Sequence, residues 1–129
     1  MIKLPETVTT IGNYAFRSCS GITEIYLPDS VTTLGDCVFY GCTGLEQVEF
    51  GNQITSIGDR VFYACVALDK LILNGEVDNI HDLAFYGAEE ATIHAFENEY
   101  VETYCNDMGL TYYNMNLDFT MVLTAPTKT

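Results

Sequence analysis

The chain of 129 residues is nearly half apolar (48%), which rules out disorder as a description of the whole and gives one hydrophobic core rather than two domains. Eighteen Asp and Glu stand against five Lys and Arg, a formal net charge of −13 at pH 7. Such a balance repels phosphate backbones and anionic lipid, so no nucleic acid and no membrane surface is expected as a partner.

The first residues, MIKLPETVTT, lack the apolar stretch of a signal peptide, and no run of about 18 apolar residues follows to span a membrane. From Leu4 the chain repeats every 23 residues, with copies starting at Leu4, Leu27, Phe50 and Leu73. A fixed period in the 20s predicts a solenoid, in which each unit is one turn that cannot bury its apolar face alone. The expected architecture over residues 4–95 is an α/β repeat solenoid, a right-handed coil of about four turns. A parallel sheet would form one face, with short helical turns opposite. Because nothing caps the turn at Leu4, the chain reads as a fragment or mature portion of a longer one. The same open turn makes an end-to-end homodimer a possible assembly.

Within a copy, the columns carry physical meaning. Leu4, Leu27, Phe50 and Leu73 are followed by Val8, Val31, Ile54 and Val77, then by Ile11, Leu34, Ile57 and Ile80. Phe16, Phe39, Phe62 and Phe85 form an unbroken aromatic column, and Cys19, Cys42 and Cys65 share a small slot that Ala88 takes in the fourth copy. Five cysteines without CxxC spacing argue against a disulfide framework or zinc site. Gly12, Gly35 and Gly58 are expected at turns with positive φ, the column being broken by His81. Asn13, Asp36, Asp59 and Asp82 follow as expected N-caps of the helical turns. The segments ITEIYL from Ile22 and LEQVEF from Leu45 read as the strands. In the fourth copy Ile93 falls one residue early, and a deletion near Glu89 and Glu90 would return Ile93 and Ala95 to the inward face.

From Phe96 the period changes, defining a C-terminal cap over 96–115. Tyr100, Val101, Tyr104, Cys105 and Met108 recur at helical spacing, with Asn98 as N-cap, Glu99 and Glu102 in the first turn and Gly109 as the stop. LTYYNM reads as a last strand. Residues 116–129 are expected to form a further strand or a tail, on the alternation of Met115, Leu117, Phe119, Met121 and Leu123.

LPDSVTTLGDCVFYGCTGLEQVEF, from Leu27 to Phe50, resembles the repeat of the BspA-like, or treponemal-type, leucine-rich repeat proteins. The resemblance covers about Leu4 to Ala95, and ATIHAFENEYVETYCNDMGLTYY resembles the closing segment of that family. It implies a curved solenoid from a cell-surface or secreted protein, often of host-associated bacteria or protists, with adhesion to host proteins in some members. His81, Ala88 and the contracted fourth strand depart from the pattern.

If Ile22, Ile25 and Leu27 point inward, then Glu24, Tyr26, Gln47, Glu49, Lys70 and Ile72 face out from the sheet, the surface that repeat proteins commonly use for partners. Tyr40, Tyr63 and Tyr86 make a second stripe, read first as packing and otherwise as an aromatic binding stripe, with Arg17 placed for a cation–π contact. His81 and His94 neighbour no nucleophile motif, Glu89 and Glu90 would face opposite ways in a strand, and no calcium-loop pattern occurs. The reading is therefore a non-enzymatic module without cofactor or metal. Its expected partner is a protein or other extracellular macromolecule. A purely structural spacer of a longer array is the alternative, and an enzyme a remote one.

Overall fold

The computed structural model describes residues 1–117, so Asp118 to Thr129, and with them most of the expected terminal strand or tail, lie outside the described residues. Six short strands build one all-parallel sheet in the order β1 (Ile2–Lys3), β3 (Glu24–Leu27), β5 (Gln47–Phe50), β7 (Lys70–Leu73), β9 (Thr92–Ala95) and β10 (Thr111–Asn114). The coil makes about five turns. Sequence counting gives four because the period already operates before Leu4: Ile2 pairs in register with Ile25, and Lys3 with Tyr26. A second side carries paired two-residue strands, β2 (Thr10–Ile11) with β4 (Thr33–Leu34) and β6 (Ser56–Ile57) with β8 (Asn79–Ile80).

Between these sides the apolar columns stack rung on rung. Ile25, Leu27, Val48, Phe50, Leu71, Leu73, Ile93 and Ala95 of the sheet are all buried. Opposite them Phe16, Phe39, Phe62 and Phe85 stack with centroids 5.5, 5.5 and 5.2 Å apart and ring planes within 18°. Offset-stacked rings of this kind add about 0.5–1.5 kcal/mol per pair beyond burial. The thiols of Cys42 and Cys65 each donate to the Phe carbonyl of the preceding rung (Phe16 and Phe39, both at 3.0 Å), so that column fills a slot and satisfies a polar group as well.

The third side corrects the expectation of short helical turns. Tyr14, Ser18, Cys37, Gly41, Arg60, Ala64 and Gly87 all have positive φ, between 52° and 83°, which breaks any run of helix. Alternate N–H groups instead donate to the next rung: Tyr14 to Asp36 O, Phe16 to Val38 O and Ser18 to Tyr40 O, at 2.7–3.0 Å. Cys37, Phe39 and Gly41 repeat the pattern one rung on, as do Phe62 and Ala64 in the third. All these donors point toward the C-terminal end, so this wall is a one-way ladder.

The polar turn columns also differ from expectation. Asn13 Oδ1 accepts from the Asp36 N–H (2.8 Å), and Asp36 Oδ1 from the Asp59 N–H (3.0 Å), linking rungs rather than capping their own turn. Gly35 and Gly58 do not have positive φ. They are glycine because a Cβ at Gly35 would lie 2.5 Å from Asn13 Oδ1, and one at Gly58 would collide with Asp36 Oδ1. A Cβ at Gly12 would meet nothing within 4 Å.

The deletion in the fourth copy falls between Ala91 and Thr92, not near Glu89. Ala91 is buried and keeps the 23-residue step from Leu68, while Thr92 pairs with Lys70 only 22 residues back. Ile93 and Ala95 thereby face inward as expected.

Helix α1 (Glu99–Met108) closes the coil with the anticipated caps: the Asn98 side chain accepts from the Val101 N–H, and Gly109 ends it at φ 74°. Val101, Tyr104 and Cys105 are buried, whereas Tyr100 and Met108 remain 39% and 38% exposed. Tyr100 acts through its hydroxyl instead, accepting from the Ile80 N–H at 2.8 Å. The Tyr104 hydroxyl donates to His81 O (2.9 Å) and Asn98 Nδ2 to Val77 O (2.9 Å), so side chains of the cap replace the missing next rung.

Candidate interaction surface

Along each long strand the burial alternates, one side chain inside and the next half-exposed. Two outward rows result. Glu24, Gln47, Lys70, Thr92 and Thr111 lie in register across five strands, and Lys3, Tyr26, Glu49, Ile72, His94 and Tyr113 across six. The six residues expected on the outer face are thus brought together. Sequence reasoning omitted Lys3, Thr92, His94, Thr111 and Tyr113, although the 23-residue step back from Tyr26 leads to Lys3. The inward placement of Ile93 and Ala95 likewise implies Thr92 and His94 outside.

The face is partly preorganised. Asn74 Nδ2 bridges Glu49 Oε2 (3.0 Å) and Phe50 O (2.8 Å), fixing that carboxylate over the sheet. Tyr26 has its phenol pushed above the usual range by burial first, then by Asp29, Glu6 and Glu49. It stays protonated as a hydrogen-bond donor. The His94 and Tyr113 rings meet with centroids 4.8 Å apart.

The tyrosine stripe is formed, but its ring faces are used internally. Tyr40 stacks on Tyr63 at 4.6 Å and Tyr63 on Tyr86 at 5.4 Å, both at 12°. Arg17 sits 5.5 Å from the Tyr40 centroid and 5.4 Å from that of Tyr14. Tyr86, 59% exposed, ends the stack.

The two histidines do not converge. His81 takes an N–H from Leu83 on Nδ1 (3.0 Å), while His94 lies on the sheet face. Asp59, beside His81, is held by Arg60 at 2.8 Å. Among the described residues no three His, Cys, Asp or Glu side chains are grouped to hold a metal ion. A cleft of about 290 Å³ at the start of α1, lined by Glu76, Val77, Asp78, Glu97, Asn98 and Tyr100, is distinct from the sheet face.

A stacked parallel sheet, a Phe column, and a Cys or Ala slot recurring every 23 residues define a repeat type, and the model for the BspA-type leucine-rich repeat region matches residues 1–108 in six copies. The chain belongs to that family. The leucine-rich repeat fold recurs in solved structures. A leucine-rich cell surface protein from Faecalibacterium prausnitzii is 26% identical with a TM-score of 0.71, aligned over 98% of this chain and 35% of its own. The pneumococcal vaccine antigen PcpA (20% identity, TM-score 0.69) aligns over 86% of this chain and 29% of its own. A leucine-rich repeat protein from Bacteroides ovatus (17%, TM-score 0.63) aligns over 88% and 42%. The BspA-type chain thus spans about a third of the first of these. No curated protein matches it. No helix among the described residues is long and apolar enough to cross a membrane.

Proposed function

We propose that this BspA-type repeat is a non-catalytic interaction module of a cell-surface or secreted protein, binding another protein through the outward face of its sheet. The observation that carries the reading is the charge of that face. Its rows hold Lys3 and Lys70 against Glu24 and Glu49, a formal balance of zero, on a molecule of net charge −13. Elsewhere the surface repels most protein surfaces of like sign; here a partner can approach without that penalty. The hydrogen-bonded backbone of the sheet also has little freedom left to lose on binding, which favours affinity. The surface location rests on the family and on the likeness to a bacterial cell surface protein.

Replacing Glu24, Tyr26, Lys70 and Ile72 together with alanine is expected to abolish capture of the partner protein while leaving the circular dichroism spectrum unchanged. Capture that survives the change refutes the sheet-face assignment. At the open end, Ile2 is exposed, and Leu4, Val8 and Phe16 are only partly buried. An end-to-end homodimer would cover them. Sedimentation equilibrium showing a strict monomer at high concentration counts against it.

A further inference from the structure

The four charges of the sheet face are ordered as well as balanced. On four consecutive strands, β1, β3, β5 and β7, stand Lys3, Glu24, Glu49 and Lys70: plus, minus, minus, plus. Lys3 and Glu49 occupy one row, Glu24 and Lys70 the other. A half-turn about the normal to the sheet, passing between β3 and β5, therefore exchanges Lys3 with Lys70 and Glu24 with Glu49. Among the described residues none of the four belongs to an ion pair; the pair that does form joins Asp59 to Arg60. Glu49 is held in place by Asn74. Three strand spacings of about 4.8 Å separate the outer lysines along the coil, about 14 Å in all.

Resting on the reading of the sheet face as the docking surface, we propose that its occupant is an α-helix of a partner protein lying across the strands. That helix presents acid, base, base, acid along one face. The spacing fits: residues at i, i+4, i+7 and i+11 share a helix face and span about 16 Å at 1.5 Å per residue. The two central bases of the helix meet Glu24 and Glu49, its outer acids meet Lys3 and Lys70, and an apolar residue beside the last acid meets Ile72. A polycation, which the net charge alone would favour, has nothing to offer the two lysines, and a polyanion is opposed by Glu24 and Glu49.

Two alanine-based helical peptides of about 15 residues and zero net charge test this. One carries Glu, Lys, Lys, Glu at those spacings, the other Lys, Glu, Glu, Lys, and binding is read by calorimetry. The first is expected to bind roughly tenfold more tightly. The preference is expected to invert in the Lys3→Glu, Glu24→Lys, Glu49→Lys, Lys70→Glu protein, and to shrink severalfold in Lys70→Glu alone, which guards against misfolding of the fourfold variant. Equal affinities, no binding of either peptide, or a preference unchanged by the swaps overturns the proposal. If partner capture nevertheless falls with the alanine set at Glu24, Tyr26, Lys70 and Ile72, the sheet face stands and only the helical occupant is wrong.

Discussion

A single methyl group added at Gly35 would lie 2.5 Å from Asn13 Oδ1 and 2.6 Å from the Asn13 backbone nitrogen. Gly35→Ala is therefore expected to cost roughly 1–3 kcal/mol in urea unfolding, with partial recovery when Asn13 is also truncated to alanine. Ala64 presents the opposite case. Its φ of 59° sits in a column shared with Gly41 and Gly87, so Ala64→Gly should stabilise the fold by roughly 0.5–1 kcal/mol, read as a higher urea midpoint at constant m. Burial also governs the thiols. It pushes Cys65 up to about 12 and Cys105 up to about 11, from an ordinary value of 9.0. Between those limits the folded chain holds protons that the unfolded chain releases, so this stabilisation is complete below about pH 9 and lost as pH rises toward 11–12. Thermal unfolding followed across pH 8–11 should show the fall, and Cys65→Ala together with Cys105→Ala should flatten it.

At the level of elements, α1 depends on a residue with two tasks. Asn98 caps the helix through Oδ1 and holds Val77 O through Nδ2. Asn98→Ala is expected to lose roughly 1–2 kcal/mol, and Asn98→Asp, which keeps only the cap, to fall between, as measured by thermal unfolding. That cap was legible in the chain, since Asn98, the two early glutamates and Gly109 act through local backbone chemistry. The sheet was equally legible, because inward and outward positions follow from period 2 within a strand and period 23 between strands. The turn wall was not. Its hydrogen bonds join residues 22 apart, and five of its left-handed positions are occupied by Tyr14, Ser18, Cys37, Arg60 and Ala64, which carry no such signature. His81 and Glu89 read as blemishes in the fourth copy for the same reason. In the structure His81 Nδ1 accepts from Leu83 N–H (3.0 Å) and Glu89 Oε1 from Gly87 N–H (3.2 Å), terminating donors that in earlier rungs reach the next turn. The outward face was legible as positions, but its charge order needed the strand β1 that the copy boundary at Leu4 concealed.

For the whole molecule, a net charge of −13 acts on every rung at once. Self-repulsion is expected to lower stability at low ionic strength. Raising NaCl from about 10 to about 150 mM, which shortens the screening length from about 30 to about 8 Å, should lift the melting temperature by several degrees. Exchange of Lys3 and Lys70 for glutamine takes the formal net charge from −13 to −15 and should steepen that dependence, because Glu24 and Glu49 then stand unopposed with the rest of the acid.

The one-way run of donors along the turn wall gives the coil a sense of direction, much as a row of aligned magnets has two unlike poles. At the helix end the pole is quenched by His81 and Glu89; at the other end the carbonyls corresponding to those of Asp36, Val38 and Tyr40, namely Asn13, Ala15 and Arg17, look outward. Any neighbour seated on that end has to arrive with hydrogen to give. Two copies meeting head to head would oppose like poles along this wall unless they slid sideways, whereas a further turn of the same kind would lock in with its polarity matched.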